Sequence, residues 1–391
     1  MNNNYLRGLW LLLVALAVLL FTPFWLQSAC ALSFLDTSDT VPAAAIKLVK
    51  FCQEPKSELD EHAVATLVEY VLKNKPMKEA ALPKTWEATG AYYEFDTAVN
   101  FTTFLKYSYN KQIPSALTSP TSLRYSIWNG SSAQTQKIPA DWSTILPATK
   151  PVVIRGMQHD AITPDLTTGV YYEYDLQRTF ILLSHKGKQV LITISKQVDK
   201  SNIGKKGVII GKDDEWNYYY SNEPGSAKTG LGWVKSYIYD FFSVGVYVEV
   251  GTSQPMVRSG MFQWIRAGWS GINFAQTEHI IIGMKRYARN FRLIMESSKL
   301  PSVEQIASVY QRLAALPSYD LKQKYAALQQ AQKSLAVQSG KIREGQTKKT
   351  DAYDKIPKEQ IIEELMLEYF KIAIGKNSLI EKKQFLALID S

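Results

Sequence analysis

The 391-residue chain is poor in the residues that usually announce chemistry: it has two cysteines, Cys30 and Cys52, and four histidines, His62, His159, His185 and His279. No cysteine pair stands at zinc-ligand spacing and no H-x-x-x-H occurs, so neither a metal nor a cofactor is expected. With so little cysteine, stability has to come from a core, and a chain of this length with 46% apolar residues can build a sizeable one. Nucleophile signatures are missing too. Gly268-Trp269-Ser270-Gly271 lacks the five-residue elbow of a hydrolase serine, and Gly207 to Lys212 is too short for a phosphate-binding loop. Ser108-x-x-Lys111 and Lys228-Thr229-Gly230 copy the penicillin-binding pair in letters only, because the serine ends a strand-like run instead of opening a helix. Asp213-Asp214-Glu215 reads as a solvated acidic turn without the alternating ligands of a calcium loop. Tyrosines and tryptophans interleave with lysines from Trp216 to Tyr239, but in an exported chain they suit a core or pocket lining, and no nucleic-acid partner is expected.

What the chain does have begins at its N-terminus. Arg7, an apolar run from Leu9 to Leu26 broken by Pro23, and Ala29-Cys30-Ala31 before the polar chain follow the grammar of a cleaved secretory signal over residues 1–31. An exported, periplasmic or extracellular protein is the expectation. Two alternatives tether it: an uncleaved N-terminal anchor, since about 18 apolar residues approach a membrane span, and lipid attachment at Cys30. Cleavage after Ala31 would leave Cys52 without an internal partner. The charge of +9 favours anionic surfaces such as phospholipid headgroups.

The pattern predicts a helical segment over 43–85, in which Leu59, Ala63, Leu67, Tyr70 and Val71 recur at three- and four-residue spacing behind a cap at Ser57. Residues 86–298 read as an antiparallel β domain closed by a long helix. Phe101 to Tyr109 alternates like a strand. Arg178 to Gln197 is the best hairpin, turning at His185-Lys186-Gly187-Lys188; a second turns near Lys212, and Val244 to Val250 alternates as a further strand. The stretch Asn110 to Pro151 reads as containing a long surface connection. Pro255 to Ala267 and Gln276 to Ser297 read as helices, a capping box at Ser302 and Gln305 opens a helical pair over 302–337, a polar linker covers 338–356, and Pro357 starts a C-terminal helical segment over 357–391, with a short tail helix from Leu379 to Ile389. No helical crossovers separate the strands, so the fold class expected is α+β with an antiparallel sheet, flanking helices and C-terminal helices.

The order helix, antiparallel sheet, long helix is similar in layout to a helix-grip domain, in which a curved sheet wraps a terminal helix around an apolar cavity. From this follows the functional expectation: a non-enzymatic binder of an apolar small molecule, a lipid or a membrane surface, with a structural or partner-binding envelope protein second and a hydrolase third. The candidate membrane or partner contacts are Lys285, Arg286, Arg289 and Arg292 on the polar face of the long helix, and His279 in its first turn is the candidate polar residue of a pocket. His159-Asp160 reads as a solvated turn.

Overall fold

A computed structural model of the chain describes residues 40–73, 78–129, 137–139, 141–228, 232–251, 253–343 and 356–381. The expected signal at 1–31, including Cys30, lies outside them, as do 344–355 of the expected linker and 382–391 of the C-terminal segment. In chain order the helices are α1 (Thr40–Gln53), α2 (Glu61–Lys73), α3 (Phe101–Ser108), α4 (Ser115–Thr118), α5 (Thr277–Met295), α6 (Val303–Ala315), α7 (Ser318–Gln338) and α8 (Lys358–Ala373). The strands are β1 (Glu79–Thr85), β2 (Ala88–Thr97), β3 (Leu123–Asn129), β4 (Val152–Ile162), β5 (Val170–Tyr171), β6 (Glu173–His185), β7 (Lys188–Gln197), β8 (Lys205–Ile210), β9 (Asn217–Pro224), β10 (Ser226–Lys228), β11 (Gly232–Val234), β12 (Tyr237–Val250), β13 (Met256–Trp269) and β14 (Ile272–Asn273). No helix among the described residues is long and apolar enough to cross a membrane.

The fold is α+β, with a curled antiparallel sheet in the order β1-β2-β13-β12-β7-β6-β4-β3, β14 folded back on β13, and a helix-grip-like arrangement of helices. Two-residue turns join β1 to β2, β6 to β7 and β13 to β14, with both central residues at positive φ as the type I′ turn requires: Trp86 and Glu87, Lys186 and Gly187, Ser270 and Gly271. Gly187 occupies its turn at φ 76, as the hairpin pattern predicts.

Helices α1 and α2 cover one face of the sheet. Ala45, Leu48, Val49 and Cys52 on α1 and Val64, Leu67, Val68 and Val71 on α2 meet Ile181, Ile192, Ile194, Val244, Val246, Phe262 and Trp264, and together they make one apolar core. The other face receives α5, whose Ile280, Met284, Phe291 and Ile294 form a buried stripe. Helix α5 lies over β1, β2 and β13. Helix α8 docks on β3 beyond the edge of the sheet, held by a buried ion pair between Arg124 and Glu364 at 2.9 Å.

Several expectations are corrected. Phe101 to Ser108 is a helix, with Tyr109 past its end: the Asn100 side chain caps it by accepting from the Thr103 N–H at 2.7 Å, and Phe101, Phe104 and Leu105 bury at helical spacing. Pro255 to Ala267 holds no helix. Its residues form β13, hydrogen-bonded to β12 on one side and β2 on the other, and this two-sided pairing with Phe262 and Trp264 fully buried outweighs any helical pattern. The expected helical segment 43–85 ends at Lys73, and Glu79–Thr85 is the edge strand β1, a position where Pro83 is tolerated. Asp60, not Ser57, caps α2, accepting from the Ala63 N–H at 2.8 Å. The Asn110 to Pro151 stretch contains α4 and β3 and, between Asn129 and Val152, the long connection expected there. Residues 379–381 are not helical, and the rest of the expected tail helix lies outside the described residues. The capping box of Ser302 and Gln305 opens α6 as expected.

Candidate functional site

The two faces of the sheet differ in how tightly they are filled. Under α1 and α2, Ile192, Ile194, Val244, Val246, Phe262 and Trp264 are 0% exposed. On the α5 face of the same strands Tyr174, Arg178, Phe241, Ser243, Met261, Gln263 and Ile265 are only half-buried. Leu176, Phe180, Thr193 and Ser195 on that face are buried, so packing is looser only at particular positions of it.

At one end of it, beside the first turn of α5, lies a cavity of about 280 Å³. Ile162, Val170, Ile238, Ile265, Trp269 and Ile280 give it an apolar wall, and the Trp269 and Phe274 rings stack at 3.8 Å on its rim. Its polar groups are few: Ser236, whose Oγ accepts from the Tyr172 hydroxyl at 3.0 Å, the turn at Asp165 to Thr168, and His279. The structure places the candidate His279 on this lining, exposed, on the third residue of α5. Phe274 and Ile272 beside it are 41% and 55% exposed, which is unusual for large apolar side chains.

Along the outer side of α5 runs an open groove of about 720 Å³. Ile282, Leu293 and Leu166 are exposed there among Lys285, Arg289 and Arg292. The four basic candidates are not equivalent. Lys285 reaches Glu79 at 2.5 Å, Arg289 reaches Asp213 at 3.0 Å and Arg292 reaches Glu296 at 3.3 Å, all from exposed positions. Arg286 is turned inward and is 8% exposed; it donates to Asp213 at 2.7 Å, to the Tyr218 hydroxyl at 3.2 Å and to the Pro164 carbonyl at 3.3 Å. It is a largely buried clamp between α5 and the turn before β9, on the wall of the same groove. The acidic turn is corrected, since Asp213 is the clamp's other half.

A third cavity, of about 270 Å³, lies where α8 meets β3 and β4. Glu363 on its wall accepts from the Ser126 N–H at 2.9 Å, while Asp160 accepts from the Ser126 hydroxyl at 2.7 Å and from Gln158 at 2.7 Å. Burial, reinforced by Asp160 and Glu364, pushes the Glu363 carboxyl up to about 8.

Two of the remaining histidines, His159 and His185, are paired. His159 sits within β4, not in a solvated turn, with Nδ1 2.8 Å from Asp175, and His185 at the hairpin turn lies 2.7 Å from Glu69. No group of three or more His, Cys, Asp or Glu stands together as metal ligands among the described residues. The sequence reading missed Arg178 and Glu363. Arg178 had a signal: it falls between Leu176 and Phe180 on one side of a period-two run.

No protein-family description matches the chain, and no curated protein matches it. Among solved structures it is similar to the human StarD13 (DLC2) lipid transfer and protein localization domain, at 11% identity and a TM-score of 0.25, over 60% of this chain and 98% of that one. The match is too distant for any property of that domain to be carried across.

Proposed function

We propose that this protein is an exported, non-enzymatic binder of a lipid-like molecule that works at an anionic membrane surface. The observation that carries the reading is the apolar cavity at the first turn of α5, open beside exposed Ile272 and Phe274. At about 280 Å³ it sits at the small end of ligand pockets, which start near 300 Å³. It suits the end of an alkyl chain or one ring, with the rest of the ligand continuing along the half-buried positions of the α5 face. The groove on the outer side of α5 supplies the surface contact: exposed Ile282 and Leu293 beside Lys285, Arg289 and Arg292 combine apolar insertion with cationic attraction to headgroups. Export rests on the N-terminal grammar of residues 1–31, with an uncleaved anchor or lipid at Cys30 as the tethered versions of the same design.

Flotation of the purified chain with vesicles of phosphatidylglycerol and of phosphatidylcholine tests the surface, and native mass spectrometry of protein taken from its host tests the cavity. Selective flotation with the anionic vesicles and a copurified lipid are expected. Equal behaviour with both vesicles, and an empty protein that takes up no amphiphile, would refute the reading.

A further inference from the structure

A polar row crosses the α5 face where a solid core would carry apolar residues. Strand register aligns Gln263 on β13 with Ser243 on β12, Ser243 with Ser195 on β7, Ser195 with Arg178 on β6, and Arg178 with Gly156 on β4. The row away from the cavity is largely apolar and the row on the cavity's side is mixed, with Gln197 and Gln158 beside Leu176. Ile265 and Phe241 pair on the side of the cavity, and Met261, Gly245, Thr193, Phe180 and Ile154 follow on the other. Ile265 also lines the cavity, so the polar row begins one two-residue step, about 7 Å, further in.

Arg178 is the one cation in this row, and its bonds are incomplete. Its Nη1 donates to Ser195 Oγ and its guanidinium stands 5.2 Å from the Phe180 ring centre. Its Nε is buried and has no acceptor. It makes no ion pair among the described residues, and the carboxyl whose ionisation it favours, Asp160, is already engaged by Ser126 and Gln158. Tyr109, Tyr174 and Tyr287 lie within its electrostatic reach, and burial raises all three phenols, which keeps them as O–H donors. A guanidinium with a buried, unsatisfied Nε is costly unless an anion completes it.

We propose that Arg178 anchors the oxyanion headgroup of an amphiphile whose alkyl end reaches the cavity beside His279. The proposal rests on the ligand-binding reading above and specifies its chemistry: a carboxylate or phosphate monoester on a single medium-length chain. From Ile265 to Arg178 is three strand spacings across and one step along, on the order of 15 Å. The length therefore suits an acyl tail of medium length better than a two-chain phospholipid.

The test uses the full-length chain, cis-parinaric acid and its uncharged methyl ester, read by probe fluorescence, with myristate and lysophosphatidate as competitors. The acid is expected to bind at least about tenfold tighter than the ester, the range of one charge-assisted hydrogen bond or more. R178Q should bring the acid down to the ester's affinity while leaving the ester within about twofold, and R178K should keep part of the preference. The competitor that displaces the acid at lower concentration identifies the headgroup. Equal binding of acid and ester by the unmodified chain overturns the anchor, whether or not R178Q folds, and so does an unchanged preference in folded R178Q; in both cases ligand binding itself stands. Failure to bind either probe, together with no myristate retained in native mass spectrometry, overturns both readings.

Discussion

Replacing Glu363 by Gln tests the physical account of the α8 junction most directly. Glu363 is 6% exposed, and its carboxyl shares Ser126 with Asp160, one group taking the backbone N–H and the other the hydroxyl. Burial, with Asp160 and Glu364 adding repulsion, lifts it from 4.5 to about 8 in the fold. A carboxyl raised in the folded state contributes fully below its unfolded value, and the contribution is lost as pH rises from about 4.5 to about 8. At 1.36 kcal/mol per pH unit the loss is on the order of 5 kcal/mol, with relaxation of α8 away from β3 setting the actual value below this limit. Gln keeps the shape and the acceptor but has no charge to bury. Urea unfolding followed by tryptophan fluorescence, at intervals from pH 5 to pH 9, should therefore find the two proteins similar at the acid end. E363Q should become more stable than the parent by several kcal/mol at pH 8.5. Parallel stability profiles across the range would refute the buried, neutral carboxyl.

Three further outcomes follow from the same geometry. Arg286→Ala should destabilise by about 3–5 kcal/mol in thermal unfolding, because it leaves Asp213 without its inner partner, whereas Arg289→Ala, an exposed partner of the same carboxylate, should cost under about 1 kcal/mol. Gly156→Ala should lower stability by about 1–3 kcal/mol in the same assay, since a Cβ there would meet the Trp128 ring at 2.0 Å and push it against Phe180, on which it stacks at 5.6 Å. Changing Lys285, Arg289 and Arg292 together to Gln should reduce flotation with phosphatidylglycerol vesicles severalfold and leave the melting temperature nearly unchanged; undiminished flotation would remove α5 from the membrane contact.

The sequence made the fold legible where one local signal dominated. Lys186-Gly187 flanked by alternating apolar runs gave the β6–β7 hairpin, and Ser302 with Gln305 gave the start of α6. It misled where local and tertiary preferences diverged. Phe101 to Tyr109 satisfies both a two-residue and a three-to-four-residue period, and only the Asn100 cap decides between them. Met256 to Trp269 is a strand because β2 and β12 are there to pair with it, and β2 arrives from more than 150 residues earlier in the chain.

The same divergence governs the site. Arg286 and Arg289 look alike in sequence, three residues apart on one helix, yet α5 rotates by about 300° between them and carries Arg286 under the turn before β9 while Arg289 stays at the surface. Arg178 looks less suited to binding, set in a strand between Leu176 and Phe180. A strand buried on both sides gives no sequence cue to which face is filled and which is open. The cue is three-dimensional: 0% exposure of Ile192 and Val244 on one side against half-burial of Arg178 and Ser243 on the other. A charge on a helix therefore speaks first for packing until its rotation is known, whereas a charge placed inside a sheet and left without a counter-ion speaks for a ligand.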